Sequence, residues 1–135
     1  MFEFLKKLKK DTKGATALLT VVIVGAATLI MAVSASYLGL GELDLGYTSQ
    51  KGAETFFIAD GCMEEGLRQL RLDTGYTGDT LSLGDGSCII SVVSSGNDRT
   101  ITVTATMNEY NKKLEVNLTL TGNVITINSW VELSN

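Results

Sequence analysis

Asp60, Glu64 and Glu65 lie close together in the 135-residue chain, and two carboxylates at fixed separation are the equipment of general acid–base or glycosidase chemistry. Nothing in their pattern implies a pocket. Arg68 follows Glu64 by four residues, the favourable acid-first order for a helical ion pair, so these acids read as a solvated helix face. Asp79 and Asp85-Gly86-Ser87 have the residue types of a calcium loop without its D-x-[DN]-x-[DN]-G spacing, and read as turns. Asn117-Leu118-Thr119 satisfies the N-glycosylation pattern but falls in the middle of an alternating, strand-like run. Histidine is absent, which removes Ser-His-Asp and Cys-His nucleophiles and His-ligated zinc. With no glycine-rich phosphate loop and no metal-ligand cluster, the sequence leads us to expect no enzyme, no cofactor and no metal.

The elements that would carry such residues are set by an asymmetry that the composition hides. The chain is 44% hydrophobic and 19% charged, with a formal charge of −4. Yet the 27 residues from Ala15 to Gly41 hold no Asp, Glu, Lys or Arg, and five of the eleven basic residues (Lys6, Lys7, Lys9, Lys10, Lys13) stand just before them. A helix of about 20 apolar residues crosses a hydrocarbon core of about 30 Å. Thr16, Thr20 and Thr28 can return their hydroxyls to the preceding turn. The lysines orient such a span with residues 1–13 in the cytoplasm and everything after about residue 40 exported. Three readings of the segment stand side by side. It can be a permanent anchor. It can be a secretory signal cut after Ala35, in the small-residue pattern Val33-Ser34-Ala35, although its apolar run is longer than the usual core of such signals. Or it can be cut at the cytoplasmic boundary after Gly14, leaving the whole apolar helix on a mature chain that starts at Ala15.

Beyond the run, residues 42–73 keep helical spacing but become amphipathic. Phe56, Ala59, Met63, Leu67 and Leu70 recur at intervals of three, four, four and three, making one apolar stripe. Gly39, Gly41 and Gly46 interrupt the join, each at about 1 kcal/mol relative to Ala, and mark where a bend or local melting is expected. From residue 74 the period falls to two. Ser87–Ser94, Arg99–Met107, Lys112–Leu120 and Val124–Leu133 alternate apolar and polar residues, separated by turn chemistry at 95–98, 108–111 and 121–123. The fold class is therefore α+β: a long N-terminal helix on a small four-stranded antiparallel sheet, with the stripe covering the apolar face of the sheet. In the last strand Ile125, Ile127, Val131 and Leu133 form the core-facing set, which leaves Trp130 on the opposite side with Thr126 and Asn128. Cys62 on the helix and Cys88 in the first strong strand are expected to form a disulfide, because an exported segment meets oxidising conditions.

A basic leader ending in Gly, a charge-free helix, an amphipathic extension and a small antiparallel sheet together resemble type IV pilins and pseudopilins. KKDTKG|ATALLTVVIVGAATL looks like a prepilin signal. The resemblance implies cleavage after Gly14 by a prepilin peptidase, with Ala15 as the new N-terminus. It implies four parts: a leader (1–14), a transmembrane and filament-core helix (15–41), its amphipathic continuation (42–73) and an exported sheet domain (74–135). Most pilins carry Glu at the fifth mature position; here that position is Leu19. This departure, with ETFFIADGCMEEGLRQL, is similar to PilX-type minor pilins. A minor or tip position, an archaeal pilin and a type II secretion pseudopilin are all compatible with it.

The implied partners are other pilin subunits, packed through the helix with small residues such as Ala26, Ala27 and Ala32 allowing close approach. The prepilin peptidase, the assembly machinery and the cytoplasmic membrane before assembly complete them. Localisation would be the membrane for the precursor and a surface filament once assembled. Removing the leader takes the formal charge from −4 to −7, so nucleic-acid binding by the exported part is not favoured. A monomeric membrane-anchored binding domain is the alternative from another class.

Overall fold

A computed structural model describes residues 1–9 and 12–134, excluding the side chains of residues 4, 5, 8 and 9. Of the lysines before the apolar run, Lys10 and the side chain of Lys9 lie outside the described residues. The element order is α1 (Phe2–Lys9), α2 (Thr12–Leu72), then β1 (Gly78–Leu83), β2 (Gly86–Ser95), β3 (Asp98–Met107), β4 (Tyr110–Thr121) and β5 (Val124–Leu133). Two compact units divide the chain at Gly46–Tyr47, and α2 contributes residues to both.

The 61 residues of α2 form one unbroken helix. Helix runs through Gly39, Gly41 and Gly46, so the local melting expected there does not occur. No proline removes a backbone donor, and Leu38, Leu40, Leu43 and Leu45 are strong helix formers that offset the glycine cost. Past Leu72 the chain turns through Asp73, whose carboxylate accepts from the Gly75 amide at 2.9 Å.

The antiparallel sheet has five strands in the order β1-β2-β3-β4-β5, a simple meander, rather than the four expected. The additional strand, GDTLSL, is a short edge strand whose residues are mostly exposed, so it carries little of the apolar alternation that marks a buried strand. Asp79 thus lies inside a strand, paired with Ile90, whereas Asp85 sits in the β1–β2 turn as expected. All four hairpins close through two residues: Gly84-Asp85, Gly96-Asn97, Asn108-Glu109 and Gly122-Asn123. In each, the first residue has positive φ (58°, 62°, 53° and 63°) and the second does not, the φ pattern of a type II′ turn.

The Tyr47–Asn135 unit packs the amphipathic part of α2 on one face of the sheet. Ala59, Met63 and Leu70 are fully buried there; Phe56 and Leu67 pack half-buried at the margins of the same stripe. Thr55, Cys62 and Gly66 are buried as well, so the contact face is centred on 55–59–62–66–70. Facing it are Cys88, Ile90 and Val92 of β2, Ile101, Val103 and Ala105 of β3, and Leu114, Val116, Leu118 and Leu120 of β4.

The last strand departs from strict alternation. Leu118 pairs with Ile127 but Asn117 pairs with Ser129, which leaves Asn128 as the extra residue of a bulge. Residues directly opposite one another share a face. The bulge therefore moves Trp130, opposite buried Val116, to the helix side of the sheet at 41% exposure. Val131 and Leu133, opposite Glu115 and Lys113, turn to the outer face. The expected phase holds for Ile125, Ile127 and Asn128 and is inverted from Ser129 onward, because one inserted residue shifts a period of two by half a cycle.

Candidate assembly surface

In the Met1–Gly46 unit the apolar side chains of α2 have nothing packed on them. Leu18, Leu19, Val21, Val22, Ile23, Val24, Leu29, Ile30, Met31 and Val33 are between 46% and 71% exposed, and Leu38, Leu40, Leu43 and Leu45 between 62% and 72%. Helix α2 is long and apolar enough to cross a membrane, and the window that qualifies has no residue buried. The Thr and Ser hydroxyls from Thr16 to Ser36 are satisfied within the helix: Thr16 donates to the Thr12 carbonyl at 2.7 Å, Thr20 to Thr16 at 2.8 Å, Thr28 to Gly25 at 2.9 Å, Ser34 to Ile30 at 2.8 Å and Ser36 to Ala32 at 2.9 Å. A helix with its polar side chains closed this way exposes little but hydrocarbon, as a bilayer interior requires. Gly14 and Ala15 lie exposed near the start of α2, and Leu19 follows at 62% exposure.

In the Tyr47–Asn135 unit Cys62 and Cys88 form a disulfide with a Cα–Cα distance of 6.6 Å, joining α2 to β2. Both sulfurs belong to the buried core, with the residues at 0% and 1% exposure. Among the acids of the helix, Arg68 pairs with Glu65 and not with Glu64 as the sequence suggested. Its Nε donates to Glu65 Oε2 at 2.8 Å and its Nη2 to Oε1 at 2.6 Å, while the Gln69 amide also donates to Oε1 at 2.9 Å. Three donors on one carboxylate outweigh the single pair that Glu64 offers. They hold the Glu65 carboxyl down at about 2, chiefly through the Arg68 hydrogen bonds. Lys51 pairs with Glu54 at 2.9 Å, which raises the ammonium and lowers the carboxyl from their ordinary values.

The outer face of the sheet carries a hydrogen-bonded polar network that the sequence did not signal beyond its alternation. Thr100 donates to Asn117 Oδ1 at 2.7 Å, and Asn117 Nδ2 donates to Ser129 at 3.0 Å. Thr119 donates to Asp98 at 2.8 Å and accepts from Asn128 at 2.9 Å. The glycosylation pattern at Asn117 thus falls on a half-buried amide already engaged in the sheet. The bulge gives Asn128 its place in this network, and Lys112 ties β4 to β5 through Glu132 at 2.6 Å.

Glu65 is committed to Arg68, and the described residues hold no group of three or more His, Cys, Asp or Glu that could bind a metal ion. A groove of about 660 Å³ in this unit runs beside α2 against Ala53, Phe56, Phe57 and Tyr110, with the Lys112–Glu132 pair at its rim. It is an open apolar depression with its two charges neutralised by each other. Comparison with family models, with curated proteins and with solved structures found no match.

Proposed function

We propose that the chain is a structural subunit, a minor or major pilin, of a type IV pilus or related extracellular filament. It is cleaved after Gly14 by a prepilin peptidase and assembled through its N-terminal helix. The observation that carries this reading is the exposure of every large apolar side chain from Leu18 to Leu45 on a helix with no cover among the described residues. Left in water, each such side chain costs about 1.5–3 kcal/mol relative to burial, so the helix must be covered from outside the chain. Lipid covers it first, and the lysine-rich leader keeps the N-terminus in the cytoplasm. Extraction from the membrane then exchanges lipid for neighbouring copies, whose packing rests on close contact at small residues such as Ala26, Ala27 and Ala32. The disulfide-stapled domain, on the acidic side of the charge partition, stays on the outside of the bundle.

N-terminal sequencing of protein sheared from the cell surface tests this directly. A mature start at Ala15 is expected. An intact Met1 identifies a permanent anchor, and a start at Ser36 identifies a secreted domain; either result overturns the filament reading.

A further inference from the structure

We infer that α1 lies along the cytoplasmic membrane surface and binds anionic lipid headgroups there. This rests on the reading of the apolar part of α2 as a membrane span. The eight residues of α1, FEFLKKLK, make a strongly amphipathic helix. At about 100° per residue, positions 4, 5 and 8 of the sequence (Phe, Leu, Leu) share one side of the helix, and the lysines at 6 and 7 fall on the other. Met1 and Phe2 are 101% and 91% exposed, and Lys6, Lys7 and Lys13 are exposed too. Among the described residues neither Lys6 nor Lys7 has an ion-pair partner.

A partner for this helix must be apolar on one side and anionic on the other. A nucleic acid would meet the lysines and leave the apolar side in water. A bilayer surface with anionic headgroups meets both, the apolar side sinking to the acyl boundary and the lysines reaching phosphate. The chain also leaves α1 little freedom to be elsewhere. It ends six residues before Ala15, and even fully extended those residues span only about 20 Å. Docked in this way, α1 holds the Gly14–Ala15 junction at the membrane boundary.

The test uses the full chain carrying Phe4→Trp and Trp130→Phe, so that its single indole reports on the apolar side of α1. It is reconstituted into vesicles of phosphatidylcholine alone or phosphatidylcholine with phosphatidylglycerol. In the anionic vesicles we expect blue-shifted emission, quenching by brominated acyl chains, and protection from aqueous iodide by about twofold or more over neutral vesicles. High salt should erode this protection. Adding Lys6→Glu and Lys7→Glu should abolish it. Iodide-accessible emission in both vesicle types overturns the proposal, as does equal, salt-insensitive protection in both. A shift driven by a DNA oligonucleotide without lipid, and not by anionic vesicles, assigns the lysines to nucleic acid and overturns it as well. Vesicle flotation separates the two levels of failure. A chain that floats with an accessible indole refutes the docking of α1 alone, whereas a chain that does not float refutes the span and the docking with it.

Discussion

Glu65 collects three hydrogen bonds, two from Arg68 and one from Gln69, on an otherwise wet helix face. Its folded-state value of about 2 lies below that of an unfolded glutamate, near 4.5. A depressed carboxyl contributes stability that is present above its unfolded value and is lost as pH falls through its folded value. The window is therefore pH 4.5 down to about 2. In thermal melts of the detergent-solubilised chain, Glu65→Gln should lower Tm at pH 6, and most of that difference should be gone by pH 2. An equal difference at both values would mean that the charge is not the source. Gly66 is the other residue whose role is local and sharp. A Cβ there would stand 3.2 Å from Ile90 Cγ2, which lets the helix approach the sheet closely. Gly66→Leu should cost about 1–3 kcal/mol or more by overpacking, read as a lower denaturant midpoint, while Gly52→Ala, with open space around it, should not. Neither partner choice was legible in the sequence. Glu64 and Glu65 both stand at helical spacing from Arg68, and the additional donor from Gln69 favours Glu65.

At the scale of elements the disulfide joins α2 to β2 across a sequence separation of 26, while the rest of the contact is apolar. Closing a loop of that size restricts the unfolded chain by about 3 kcal/mol. Cys62→Ala with Cys88→Ala should accordingly lower Tm by about 10 °C or more for a unit of this size, with strand and helix content retained below the transition. An unchanged Tm would show that the apolar stripe suffices without the covalent link. The stripe itself was legible because α2 presents one continuous face at a period of 3.6, and four strands were legible through runs such as Ile101-Val103-Ala105. What escaped was written in weaker chemistry. The edge strand β1 offers Leu81 as its one half-buried apolar contact, and its flanking glycines and aspartates look like a turn. The bulge at Asn128 leaves no compositional mark at all. Its consequence, Trp130 turning to the helix side, follows from pairing with β4, which alternation within one strand cannot express.

For the whole molecule, charge and hydrocarbon are divided by position. Five lysines between residues 6 and 13 precede a helix surface without charge from Ala15 to Gly41, and the acids concentrate beyond it. That division was legible from the first count, because a run without charges does not depend on pairing or register. Placing charge in the middle of the run tests it. Val24 and Leu29 are 56% and 66% exposed and touch no other element, so replacing both with aspartate should leave the disulfide-linked domain intact. In a bilayer the same pair costs about 2.5–3.5 kcal/mol per aspartate near the centre of a span. The predicted outcome for Val24→Asp with Leu29→Asp is a chain released from membranes by alkaline carbonate, with the Tm of its folded domain unchanged. Val24→Ala with Leu29→Ala, which keeps the helix and adds no charge, should stay membrane-bound. If the aspartate chain resists extraction as the parent does, the apolar helix is not what holds the protein in the membrane. A fall in Tm instead would show that residues 24 and 29 support the folded domain, and their exposure would then have to be explained by contacts within the chain.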